Sequence, residues 1–151
     1  MTDHTRGAAW MQAVLLVAAL AVTIIMLVAR LQRPFDRDTL AIQVGQLQSQ
    51  SAEAALIARN AAGDRLAPGF TRQHVQQLTE AVGRVQDALQ SKPATPALIG
   101  ALAMARQSGA ALHATLQAWS TDSGQASQWI PRLDRLARGL DALDKQLKPG
   151  N

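Results

Sequence analysis

His4, His74 and His113 are the residues with the most obvious chemical potential, because a chain without cysteine has no thiolate to ligate a metal or act as a nucleophile. A helical histidine becomes a metal ligand when a second donor stands one turn away. Gln77 and Leu78 follow His74 by that interval, and Leu116 and Gln117 follow His113, so neither has one. Glu80 or Asp87 would have to be supplied from elsewhere on the surface. A haem held by histidine and methionine could draw on His113 and Met104. Their separation puts them on different turns and roughly opposite faces of a helix. There is no glycine-rich phosphate loop, no G-x-S-x-G and no Ser/His or Ser/Lys arrangement at motif spacing. Several carboxylates instead precede a cation by four positions, as in Asp134–Arg138, Asp141–Lys145 and Asp144–Lys148, the orientation that supports a solvated helix face. The sequence therefore predicts no enzyme: no catalytic residue, no metal site and no cofactor.

The elements that carry these residues are helical. Ala, Leu and Gln dominate, tyrosine is absent, and only 3% of the chain is aromatic, a composition that favours helix over sheet. Leu133, Leu136, Leu140, Leu143 and Leu147 recur at heptad spacing, as do Val75, Leu78, Val82, Val85 and Leu89. Thr95-Pro96 opens a third stretch with the seam Leu98, Leu102, Ala105, Gly109, Leu112, Leu116 and Trp119. A first, less regular helix holds Leu40, Val44, Leu47, Ser51, Ala54, Ala58 and Ala61 in register, while Ile42, Leu56 and Ile57 widen its apolar face. Breakers separate these stretches: AAGDRLAPGF, SKPATP and STDSGQAS. The expected fold is all-α, an antiparallel up-down-up-down four-helix bundle with coiled-coil-like seams, preferred over a long trimeric coiled coil because three breaker loops fall at similar intervals.

From Gly7 to Ala29 the chain carries no charge, and as a helix this run would be about 34 Å long, enough for a bilayer core. Its Leu, Ile and Val residues favour insertion by about 3–6 kcal/mol in sum. A cleaved signal peptide fits less well. Ala19-Leu20-Ala21 lies inside the run, and Arg30-Leu31-Gln32-Arg33 follows it without a suitable site. The expectation is an uncleaved signal anchor at 8–29, after a tail at 1–7 and before a basic juxtamembrane segment at 30–38. The bundle then occupies 39–148, with helices at 39–62, 71–91, 96–119 and 126–147. This makes a single-pass protein of a bacterial inner membrane. More Lys/Arg follow the span than precede it, which favours a cytoplasmic domain, but a short tail before an anchor favours a periplasmic one, and the periplasm is preferred.

That topology sorts the remaining residues. Phe70, Trp119 and Trp129 fall near the membrane-distal tip, either as an aromatic plug closing the bundle or as a partner-docking patch. Trp10, Arg30, Arg33, Arg37, Lys92, Lys145 and Lys148 gather at the other end as candidate membrane-interface residues, either a collar on anionic headgroups or ordinary solvated charge. The net charge of +4 resides largely behind the apolar run, and beyond Arg37 cations and acids nearly balance. Without a basic face and stacking aromatics, no nucleic-acid partner is expected. The expected partners are the lipid bilayer and a membrane protein complex, or further copies of the chain through the span or the bundle.

The order of apolar run, heptad helix, breaker and three further heptad helices resembles the four-helix-bundle ectodomains of bacterial chemoreceptors and related pilus-linked receptors, in architecture over residues 8–147. Those receptors continue helix four into a second span and a signalling domain, whereas here Leu147 is followed by Lys148-Pro149-Gly150-Asn151. The expected role is a non-catalytic accessory, scaffold or assembly subunit. The alternative is a sensor-like bundle that binds a small ligand and signals through a partner. A sensor should bury a polar pocket between helices with Arg59, Arg72 or Arg106 turned inward, and a scaffold should have a dry seam and an exposed patch.

Overall fold

A computed structural model describes residues 20–23, 34–121 and 125–148, and the chain divides into two compact units at Arg33 and Pro34. Of the first unit only the helical residues 20–23 are described. The second is all-α: α1 (Arg37–Ala62), α2 (Pro68–Ser91), α3 (Ile99–Thr121) and α4 (Ile130–Leu147), with 3₁₀ turns at Pro96–Leu98 and Ala126–Trp129 leading into α3 and α4.

Among the described residues no helix is long and apolar enough to cross a membrane. This corrects the reading of a single-pass, signal-anchored inner-membrane protein with a periplasmic domain. The physical reason is polarity. Helices α1 to α4 have the length, but polar and charged residues recur along them, as α1 shows with Arg37, Asp38, Glu53 and Arg59. Of the run at 8–29, all but Leu20–Thr23 lies outside the described residues, as do the tail at 1–7, Trp10, Arg30 and Arg33.

Each helix start has a local cause. Asp36 caps α1, its carboxylate accepting the Thr39 N–H at 2.8 Å, so the helix opens at Arg37 rather than at 39. Pro68 stands at the first position of α2, which draws Phe70 into its first turn. Pro96 opens a 3₁₀ turn, not the α-helix itself. Hydrogen bonds from the Thr39 hydroxyl and backbone N–H hold the Asp36 carboxyl below its ordinary value. A lowered pKa means that the cap contributes fully above the unfolded-state pKa and is lost as pH falls through the folded one. Thermal melts of Asp36→Asn should therefore run a few degrees below the parent at neutral pH and converge with it in acid.

Named contacts set the helix directions. Arg37 at the start of α1 donates through Nε to the Leu147 carbonyl and through Nη2 to the Gln146 carbonyl, both at 2.8 Å, at the end of α4. Arg59 at the other end of α1 pairs with Asp134 near the start of α4. His74 of α2 meets Glu53 of α1, and Arg106 of α3 reaches Leu89 of α2. Successive helices therefore run antiparallel, and α4 returns beside α1. The core between them is apolar: Leu40, Val44 and Leu47 from α1, the whole Val75–Leu89 seam of α2, Leu112 and Leu116 from α3, and Leu133, Leu140 and Leu143 from α4. Gly109 permits the closest approach, since a Cβ there would lie 3.3 Å from Leu47 Cδ1.

Phe35 departs from expectation. The sequence places it in a basic segment outside the bundle, yet it is 3% exposed. Its N–H donates to the Pro93 carbonyl at 2.8 Å and its carbonyl accepts from Thr95 N–H, an isolated parallel bridge with Ala94 that closes this end of the core.

Candidate functional site

The two ends of the helical unit differ in character. At the end holding Phe35, Arg37, Lys145 and Lys148 of the expected collar have side-chain partners within the fold. Arg37 satisfies two of the carbonyls that α4 leaves unpaired at its C-terminus. Lys145 pairs with Asp141 at 2.7 Å, which pushes its ammonium pKa up, and Lys148 pairs with Asp144. Lys92 is the residue after α2, and its carbonyl accepts from Arg106 Nη2 at 3.0 Å. Arg37, Lys145 and Lys148 thus each have a partner within the helical unit.

Asp144 and Asp134 also differ from expectation. Asp144 is not on a solvated back but only 8% exposed, with Oδ2 paired to Lys148 and Oδ1 buried without a hydrogen-bond partner. It packs against Gly45 of α1, where a Cβ would sit at ordinary contact distance, 3.7 Å from Oδ1. Asp134 pairs across to Arg59 instead of along its own helix to Arg138.

The opposite end holds the aromatic residues, and they divide. Trp119 is 6% exposed and joins the core. Trp129 is half-buried against the same core, with its indole N–H buried and unpaired. These two fill the end of the unit. Phe70 does the reverse: it is 52% exposed and stacks on the His74 ring, centroids 5.4 Å apart. His74 Nε2 lies 2.7 Å from Glu53 Oε1, so a carboxylate on α1 orients the imidazole, which in turn supports Phe70. His113 lies where α2 has Gly83, its Nε2 3.6 Å from the position of a Cβ there.

Beside Trp119 the α1–α2 loop and the ends of α2 and α3 enclose an open cleft of about 780 Å³. Arg65, Arg72 and Asp64 line it, with Val75 and Trp119 as its apolar wall. Asp64 holds a left-handed φ of 54°, a conformation aspartate tolerates better than most residues, and the Arg65 N–H returns to the Asn60 carbonyl at 2.9 Å. The loop is thereby tied to the end of α1. No family model, curated protein or solved structure matches the chain.

Of the three arginines named as possible inward groups, Arg72 lines this cleft, Arg59 pairs with Asp134, and Arg106 serves α2 through the Leu89 and Lys92 carbonyls. The seam itself is largely apolar. Its fully buried hydroxyls, Ser51 and Thr115, donate to carbonyls of their own helices at 2.8 and 2.6 Å. Among the described residues no group of three or more His, Cys, Asp or Glu side chains converges. Sequence reasoning missed Arg65 and the Glu53–His74–Phe70 arrangement. The first lies inside a segment read only as a breaker, and the second needs the antiparallel register of α1 and α2, which no local spacing reveals.

Proposed function

We propose that this chain is a non-catalytic protein whose antiparallel four-helix bundle serves as an accessory, scaffold or assembly subunit, docking a protein partner or a second copy. The observation that carries the reading is Phe70. An aromatic side chain left half-exposed on a folded surface loses the benefit of burial, and here it is held in place by His74 and Glu53. A fixed, exposed aromatic ring is the usual anchor of an interface, because little side-chain entropy remains to be lost on binding. The largely apolar seam agrees with a structural role for the interior. The ligand-sensing alternative has one observation in its favour, the cleft to which Arg72 contributes.

The test is the native mass and composition of the tagged full-length chain, with and without Phe70→Ala. The expected result is a stoichiometric complex that Phe70→Ala weakens about tenfold or more, the scale of an interface hot spot. The melting temperature should shift by less than about 2 °C, because the residue is exposed. A lone monomer in the parent protein would overturn the reading.

A further inference from the structure

We propose that the cleft beside Trp119 binds a small amphipathic organic anion, with its carboxylate on Arg65 and Arg72 and its apolar body against Ala61, Leu66 and Pro68. The donors lining the cleft differ in whether the fold already uses them. Three hydroxyls line the cleft, and all donate to helix carbonyls: Thr71 to Ala67 at 3.2 Å, Ser120 to Gln117 at 2.8 Å, and Thr121 to Gln117 at 3.2 Å. The two guanidiniums do not. Arg37, Arg59 and Arg106 each have a carbonyl or carboxylate partner, whereas Arg65 and Arg72 have no ion pair or side-chain hydrogen bond among the described residues. The donors left without a protein partner in the cleft are thus cationic and planar, a form that suits a carboxylate.

Size and preorganisation agree with this assignment. A volume of about 780 Å³ lies within the usual range for small-molecule sites, which runs from roughly 300 to 1,000 Å³. The Arg65 backbone is pinned by its hydrogen bond to Asn60, and Arg72 stands on the first turns of α2. Asp64 is the one described acid in the lining, and it disfavours a polyanion while leaving a net positive charge for a monoanion. The accessible apolar lining of Ala61, Leu66 and Pro68 selects an apolar body over a bare inorganic ion. This site does not use Phe70, so it stands or falls apart from the docking role.

Titration calorimetry on the full-length chain tests the proposal, with 4-phenylbutyrate as probe and 4-phenylbutanol as its neutral match. The expected result is saturable one-to-one binding of the carboxylate, about tenfold or more weaker in Arg65→Met and in Arg72→Met, the loss expected for a charge-assisted hydrogen-bonded contact. Both arginines are exposed, and unchanged melting curves would show that the variants fold. Phe70→Ala should bind the probe as the parent does. Equal affinity for the alcohol, undiminished binding in both arginine variants, or no binding at about ten millimolar, far above the working range of a small-molecule site, would each overturn the assignment. Binding of a glutamate-rich peptide in place of the probe would overturn it as well, in favour of a protein partner.

Discussion

Trp119→Ala should cost the helical unit about 3–5 kcal/mol, the range for truncating a large buried aromatic. Trp119 lies near the end of α3, 6% exposed, and closes the core where α1, α2 and the 3₁₀ turn before α4 converge. Removing its indole joins an internal void to the adjoining cleft, so water can enter where the ring excluded it, and the surrounding helices have little freedom to collapse inward. A domain of this size has roughly 5–15 kcal/mol of total stability, so the variant should lie near the edge of folding. Urea unfolding followed by circular dichroism measures the effect. A loss below about 1 kcal/mol would mean that the ring belongs to the surface rather than the core. The contrast with Phe70→Ala is the informative part. Of two aromatics at the same end, one should govern stability and the other partner binding.

Arg106→Met should be the second large effect, a loss of about 2–3 kcal/mol from removing charge-assisted hydrogen bonds at a partly buried site. Its Nε and Nη2 both donate to the Leu89 carbonyl, at 2.9 and 2.8 Å, and Nη2 also reaches the Lys92 carbonyl. These carbonyls lie at the C-terminal end of α2, where the helix itself provides no donors. Arg106→Lys should recover little, because a single ammonium cannot reproduce the fork of the guanidinium. Arg59→Met provides the comparison. That pair with Asp134 is substantially solvent-exposed, and solvent screening should hold its loss below about 1 kcal/mol. Equal losses in the two variants would remove the distinction between a helix-capping arginine and a surface pair.

The helices were legible because each seam is written at helical spacing. Val75, Leu78, Val82, Val85 and Leu89 are the buried residues of α2, and Leu102, Ala105, Gly109, Leu112, Leu116 and Trp119 are buried on α3. Apolar periodicity is a local property, and the core follows from it once four such faces meet. On α1 the pattern was broader than the outcome: Ile57 turns inward while Ile42 and Leu56 remain exposed. Several apolar residues compete for one face there, and only the neighbouring helices decide among them.

Charge was the least legible feature. Acid and cation four positions apart on α4 imply pairs along the helix, and Asp141–Lys145 and Asp144–Lys148 both form. Asp134 turns to Arg59 instead, because α1 packs along the same side of α4, and Asp144 is buried there while keeping its pair with Lys148. Long charged side chains reach whatever partner the fold brings within a few ångströms, so sequence spacing alone cannot assign them. The apolar run at 8–29 predicted a membrane protein, yet no described helix has the length and apolarity to cross a bilayer. By itself the sequence determined the four helices, their seams and the breakers between them, since each rests on interactions within a few turns of chain. Only the tertiary structure decided that Phe70 faces outward on His74 while Trp119 is buried, and that Arg65 and Arg72 share a cleft, because those placements depend on residues brought together from different helices and their connecting loop.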